Sequence, residues 1–565
     1  MKDRIATIKI DVSKRQTSLE ETPSKDLPLE EKLGGFGKST NDIQEHLKQN
    51  PDLRDAYDER NMLCLDIGCF TGSRIATSKR TIISGLSPLK TSKAGNNGIY
   101  YSAASGGLGP KIRDCNLDAI RIIGKSEEPT YIVIDNGQVS FENASELVGK
   151  TTDEKITMLA TKHEKAVFAV IGPAGENRAR LANIAFSTND QVKNKSRHMR
   201  FAGRGGMGAV MGSKNLLAIV ARGKRNWQEV GDVKKLNLEI AKGDKTKKYR
   251  EQGTFFGNFA KMERLGVGIH NNFSKGYDPK TEALLKENLI EAGYEIKDKG
   301  CLGCPIRCWK ELRKDGTVFG KIDFEPTELL GPNLGISNIE EIAQLINLSD
   351  SLGIDSISAG VCLGYEMENQ GTFSDFEFAK KLLEEIGNGT HPLKEGVMRY
   401  SNSAPNAMQV KGIEMAAYPG SLNPGYAFAI AGPHMSIDTY NRAWYPNATN
   451  SVEEWVENIF RGSNMILYDM HGLCKFAKAG FEDVAKLYEN IYGEKITAND
   501  LKETARKVNL RARMIDFSLG FTEDDDVLPE NCFNDYGSAV RHFNTKEFFE
   551  EVKKGVYEKF KDIKL

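Results

Sequence analysis

Three cysteines fall within one short run, Cys301-Leu-Gly-Cys304-Pro-Ile-Arg-Cys308, and this run constrains the fold more than any other feature. The C-x2-C-x3-C spacing lets three thiolates converge on one inorganic centre, and an iron-sulfur cluster held in this way needs a fourth. Structural zinc is the competing occupant, but zinc sites usually complete themselves with a second close Cys or His pair. No such pair lies nearby. A radical enzyme of the S-adenosylmethionine type would show the reverse order, C-x3-C-x2-C, with no fourth cysteine. The spacing favours a cluster, so the chain must fold to bring a distant thiol to the trio. Cys64, Cys69, Cys115, Cys362, Cys474 and Cys532 are the candidates.

Local chemistry favours Cys474. It ends Asp469-Met-His-Gly-Leu-Cys474, where a glycine lets the backbone come close and an aspartate offers an acceptor to a ligand with several N–H donors. A near copy stands at Asp350-Ser-Leu-Gly-Ile-Asp355, with the same D-x-x-G-[LI]-[CD] form. Two such loops suggest two similar ligands or one ligand of two-fold character. Taken singly, either loop is more simply a helix-terminating turn with glycine in the left-handed conformation.

A third segment, Gly203-Arg204-Gly205-Gly206-Met207-Gly208 running on to Lys214, combines backbone freedom with cations that suit an anion. It is neither a P-loop nor a dinucleotide fingerprint, because the order of glycines is wrong for both. Ser105-Gly106-Gly107-Leu108-Gly109-Pro110 reads equally as an anion cradle or a hairpin turn.

The 565 residues suffice for three or four folding units. Lys plus Arg number 77 and Asp plus Glu 78, a net charge of -1 that argues against a polyanion-coating protein and so against a nucleic-acid partner. No run reaches the ~18 apolar residues of a membrane span. The start of the chain alternates like a half-buried strand rather than a signal peptide, and nine scattered cysteines do not resemble a disulfide framework. A reducing cytoplasm is the expected compartment.

Residues 1–222 read as strand-rich, with β-branched runs at 81–83, 119–123, 131–134 and 167–171 bounded by turn formers. A polar, basic stretch beginning at Gly223 marks a boundary, after which helical periodicity dominates. Ile339, Ile342, Leu345 and Ile346 share one face, 378–383 continues in the same style, and Thr497 is the predicted N-cap of a helix over 501–515. The expected architecture is α+β, a β-rich domain (1–222) as base for two mostly helical domains, 223–410 and 411–565.

Together these residues resemble the aldehyde ferredoxin oxidoreductase family of tungsten-pterin enzymes. The resemblance runs through GPAGEN (172–177), AGRGGMGAVMGSKN (202–215), CLGCPIRC, LLGPNLGI (329–336), both D-x-x-G loops and DFSLGFTEDDDVLPE (516–530). It implies a tungsten or molybdenum bis-pyranopterin between the helical domains and a 4Fe-4S cluster on Cys301, Cys304, Cys308 and Cys474. It also implies a magnesium ion bridging the pterin phosphates. Asp350 and Asp355 would hold one pterin and Asp469 the other, with Arg80, Arg204 and the glycines 205, 206 and 208 at the phosphates. Glu325 would act as general base and His434 as hydrogen-bond donor to the substrate oxygen.

The implied reaction is oxidation of a small aldehyde to the acid, or the reverse, with ferredoxin or a ferredoxin-like subunit taking electrons and the chain assembling as a homodimer or hetero-oligomer. Reduction of an aryl-CoA or a carboxylate on the same scaffold, and a non-catalytic electron conduit, are the alternatives. Departures from the family pattern are Ser102-Ala103-Ala104 before the first glycine pair, Phe36 in Gly34-Gly35-Phe36-Gly37 where many relatives carry Arg, and no E-x-x-H motif.

Overall fold

The computed structural model describes residues 2–194, 198–419, 423–433, 451–461, 464–533, 545–561 and 563. Its first part is built on two six-stranded sheets. One runs, in spatial order, Gln16–Pro23, Arg4–Asp11, Ala119–Ile123, Leu63–Ile67, Thr81–Thr91 and Asn97–Ala104. The other runs Arg200–Ala202, Ile184–Phe186, Val167–Val170, Leu216–Arg222, Thr130–Asp135 and Gln138–Asn143. Each contains one parallel pair, Arg4–Asp11 with Ala119–Ile123 and Leu216–Arg222 with Thr130–Asp135, among antiparallel neighbours. The β-branched runs predicted as strands are these strands. Ile120, Ile122, Ile132 and Val170 are fully withdrawn from water, and each such side chain contributes roughly 1.5–3 kcal/mol relative to an exposed one.

Beyond Arg222 helices prevail. Ile339–Leu352 buries Ile339, Ile342, Leu345 and Ile346 as its periodicity requires. Phe376–Gly387 does the same with Leu382 and Leu383. Thr497 caps Ala498–Ser518 through a reciprocal capping box with Asp500.

One element departs from the helical expectation. Glu295–Lys299, Trp309–Lys314 and Thr317–Ile322 form a three-stranded antiparallel sheet. Its second turn is Asp315-Gly316, with φ of 50° and 78°, the dipeptide that two-residue hairpins favour. The cysteine run is the connection between the first two of these strands, so two hydrogen-bonded strands hold both ends of the loop that carries the thiols. Ser105 to Pro110 is likewise no hairpin: it carries the chain from the strand Asn97–Ala104 into the helix Leu108–Asp114.

Candidate functional site

Both D-x-x-G loops end helices. Gly353 terminates Ile339–Leu352 at φ 75°, and Gly472 follows Asn464–His471 at φ 85°. The turn is therefore a helix stop, yet in each loop the last helical turn also sets a carboxylate against a cation that lines one cavity. Asp350 Oδ2 lies 3.2 Å from Lys321 Nζ, and Asp469 Oδ1 lies 3.6 Å from Arg80 Nη2. Burial pushes both carboxyls above their ordinary range, and the paired cations oppose it.

The far ends of the loops differ. Asp355 caps the helix Ser356–Gln370, accepting from the Ile357 and Ser358 N–H groups and the Ser358 hydroxyl. Cys474 occupies the corresponding position before the short turn Lys475–Ala477 and makes no side-chain cap, leaving its sulfur free for another use. Its backbone N–H donates to Thr77 O at 3.2 Å, tying the loop to the N-terminal base.

The four thiols nominated from sequence come together. Cys301, Cys308 and Cys474 line one cavity with Arg80, Asp350 and Asp355. Burial, and after it the charges of Cys474 and Cys301, pushes the Cys304 thiol up to about 11, against the Ile306 N–H and Lys79. Burial drives Cys308 up further, with Arg200 opposing. These four are partly exposed while Cys64, Cys69, Cys115, Cys362 and Cys532 are buried. Thiols raised by burial, as Cys304 and Cys308 are, become stable thiolates when they share a cationic centre.

The cavity has a volume of about 280 Å³, near the lower end for ligand sites. Several buried polar atoms near it have no hydrogen-bond partner: Arg80 Nε, Thr81 Oγ1, Asn183 Oδ1, Glu325 Oε1 and Asp469 Oδ1. Buried polar groups are normally paired. Acceptors at Asn183 and Asp469 with a donor at Arg80 suit a bound group that carries both N–H donors and anionic oxygens.

Glu325 lies in the first turn of Phe324–Leu329. Its Oε2 accepts from the Ala417 N–H at 2.7 Å, while Oε1 is unpartnered. Burial pushes this carboxyl up to about 7, against the Ala417 N–H and Arg204. His434 lies outside the described residues.

Arg204 and the glycine segment are placed differently from Arg80. Arg204 Nη1 donates to Pro433 O at 3.2 Å and Nη2 to Glu414 O, with Nε 3.6 Å from Asp355 Oδ2. Of the glycines, Gly203 lines the cavity. Gly205 and Gly206 have φ of 81° and 72°, and a Cβ at 205, 206 or 208 would fall within 2.3 Å of Tyr100, Arg180 O or Asn183 O respectively. Their lack of side chains is required by close packing on the protein itself. Phe36, the departure noted in sequence, is buried and stacks on Tyr101 with centroids 4.1 Å apart.

Sequence reasoning missed Arg200, Lys321, Asp323, Asn183 and Phe476, which also line the cavity. Arg200 lies 3.7 Å from Asp323 and 5.3 Å from the Trp309 ring. Lys475, beside Cys474, Asp469 and Glu325, has its pKa lowered to about 8, chiefly by burial. Cations next to the thiols were visible in Arg80-Thr81 and Cys474-Lys475, but nothing in the sequence pairs position 200 with position 301.

Carboxylates, guanidinium groups and converging thiols around one cavity define a protein built to hold a redox cofactor. The chain belongs to the aldehyde ferredoxin oxidoreductase family: residues 7–223 match its N-terminal domain and residues 232–561 its domains 2 and 3. It is accordingly an oxidoreductase of that type. The tungsten-containing aldehyde ferredoxin oxidoreductase of Pyrococcus furiosus is 28% identical over 535 residues, covering 86% of this chain and 84% of the relative. The aliphatic sulfonate oxidoreductase WOR-like subunit of the same organism is 28% identical over 536 residues, 86% and 82% of the two chains. In fold the chain resembles the active-site complex BamBC of benzoyl coenzyme A reductase, with TM-score 0.78 and 18% identity over 98% of this chain and 94% of that one. Among the described residues no helix is long and apolar enough to cross a membrane.

Proposed function

We propose that this protein oxidises a small aldehyde to its carboxylic acid, or the reverse, and passes the electrons through a four-iron cluster to ferredoxin or a ferredoxin-like subunit. The observation that carries the proposal is the meeting of Cys474 with the Cys301–Cys308 loop at a cavity shared with both aspartate loops. The division of the chain into 1–222, 223–410 and 411–565 belongs to the same reading.

A bis-pyranopterin tungsten, or molybdenum, supplies the two-electron couple and the Lewis acidity when bound. The chain's own residues do the rest. Asp350 and Asp469 accept N–H groups of the two pterins, and Asp355 supports the first loop. Arg80 and the glycine segment would hold the cofactor's phosphates, and a magnesium ion would neutralise their charge there. Cys301, Cys304, Cys308 and Cys474 hold the cluster. Aldehyde plus water gives acid, two electrons and two protons, and Glu325 Oε1 takes one of those protons, its raised pKa suiting transfer near neutral pH. His434 donates to the substrate oxygen.

A groove of about 720 Å³ beside Cys301 supports an acidic electron partner. Arg74, Lys79, Lys111, Lys165 and Arg225 line it against Asp114, and Leu302 on its edge is 63% exposed. Charge of one sign steers an oppositely charged protein.

A second reading, reduction of an aryl-CoA with added electron-transfer subunits, is favoured by the fold likeness to BamBC across nearly the whole chain. Protein purified anaerobically from a tungstate-supplied culture separates the readings. Tungsten with about four irons per chain and viologen reduction by aldehydes supports the first. Tungsten without aldehyde turnover supports the second, and iron alone would leave only a conduit.

A further inference from the structure

Behind Glu325 lies a second polar cluster that neither loop uses. Glu263, on the helix Phe255–Leu265, His270, on the loop that follows, and Glu328, on the helix Phe324–Leu329, are all buried and offer ligand atoms within 4.8 Å of one another. His270 Nε2 lies 2.9 Å from Glu263 Oε1. Among the described residues the only other hydrogen bonds to the two carboxylates come from the Thr281 hydroxyl to Glu263 Oε2 and from the Ile269 N–H to Glu328 Oε1. Glu328 Oε2 and His270 Nδ1 have no hydrogen-bond partner. No lysine or arginine pairs with either carboxylate among the described residues. Two buried carboxylates without a cation are costly unless protonated or bound to a metal.

The backbone comes up to the cluster with no side chain in between. Gly268 faces the pair, and a Cβ there would lie 2.2 Å from Glu263 Oε1 and 2.7 Å from His270 Nε2. The loop then passes through Asn271, Asn272 and Phe273, three successive non-glycine residues with φ of 48°, 51° and 61°. Such backbone persists where its surroundings over-determine it. Two ligands about 2.1 Å from one ion at a right angle are about 3 Å apart, close to the Glu263–His270 separation.

We infer that Glu263, His270 and Glu328 form a binding site for one divalent first-row metal ion, Mn2+, Fe2+ or Zn2+, which pins the helix carrying Glu325 to the helix Phe255–Leu265. An imidazole with two carboxylates suits these ions better than Mg2+ or Ca2+, which prefer an all-oxygen shell. Glu328 follows Glu325 by one helical turn, so the ion acts on Glu325 by fixing the turn that presents it. Glu263, His270 and Glu328 are thus positioning residues. The inference stands apart from the tungsten reading, since its ligands touch neither the thiols nor the aspartate loops.

The test is elemental analysis of purified holoprotein alongside the Glu328→Gln and His270→Ala variants, with acid-labile sulfide measured to count the cluster independently. The expected result is the loss of one Mn, Fe or Zn atom per chain in both variants at unchanged tungsten and sulfide. Equal totals of these metals in wild type and variants would overturn the site. A measurement needing no variant guards against misfolding: anomalous scattering from wild-type crystals at the Mn, Fe and Zn edges. A peak between the three side chains confirms the ion, and its absence at all three edges refutes it.

Discussion

The two D-x-x-G loops begin alike and end differently. Asp350 and Asp469 both leave the last turn of a helix and both sit against a cation, Asp469 buried and Asp350 largely so. At the other end Asp355 spends its oxygens on the amides of the next helix, whereas Cys474 leaves the following turn uncapped and gives a sulfur to the group at position 304. One backbone device thus serves two purposes, and a single residue separates a loop that caps the next helix from one that brings a sulfur to the Cys301–Cys308 run.

Exchanging that residue is the hardest test. Cys474→Asp makes the second loop a copy of the first, and the expected outcome is loss of the cluster, seen as disappearance of acid-labile sulfide and of turnover. A variant that kept its full cluster would place the fourth ligand elsewhere.

Next in size is the shared start. Asp350→Ala and Asp469→Ala should each lower bound tungsten, by elemental analysis, because Asp350 lines the cavity and Asp469 stands against Arg80, which lines it too. Retention of tungsten in one variant alone would break the symmetry between the loops.

Glu325→Gln separates chemistry from binding. Turnover should fall about 10²–10⁴-fold with metal content intact. In the wild type the rate should climb as pH rises through about 7, because the base works deprotonated, and the variant should lack that limb. Stability runs the other way. A carboxyl whose folded pKa is raised contributes stability that is complete below about 4.5 and lost as pH passes about 7. Melting temperature followed against pH should therefore decline across that window more in the wild type than in the Gln variant.

The smallest effect falls on the supporting end. Asp355→Ala removes a helix cap and should cost about 1 kcal/mol by denaturant unfolding, while Asp355→Asn should restore most of it.

Much of the site could be read before the structure because its signals are local. The cysteine spacing, the glycine three places after each aspartate and the periodicity of 339–346 each report on a few neighbouring residues, and each is where the pattern puts it. Arg200, Lys321 and Asn183 were invisible because their roles depend on which strands and loops lie side by side. The hairpin at Asp315-Gly316 was legible, but helical periodicity on both sides drew attention from a sheet of short, partly exposed strands. For the glycines at 205, 206 and 208, sequence suggested an anion while the geometry supplies a reason in crowding against Tyr100, Arg180 and Asn183.

The fit between the second loop and the N-terminal sheet sets an order of events in the making of this protein. A Cβ on Gly68 would meet His471 C at 2.0 Å, one on Gly35 would meet Asp469 O at 2.0 Å, and across the seam the Phe70, Arg80 and Cys474 N–H groups donate to His471 O, Gly472 O and Thr77 O respectively. Nascent chains emerging from the ribosome carry the trio of thiols long before Cys474 follows, and until it docks the proposed cluster would have three anchors. On that proposal maturation waits for a nearly finished polypeptide, and truncation upstream of this loop is expected to yield a scaffold that no supply of metal completes.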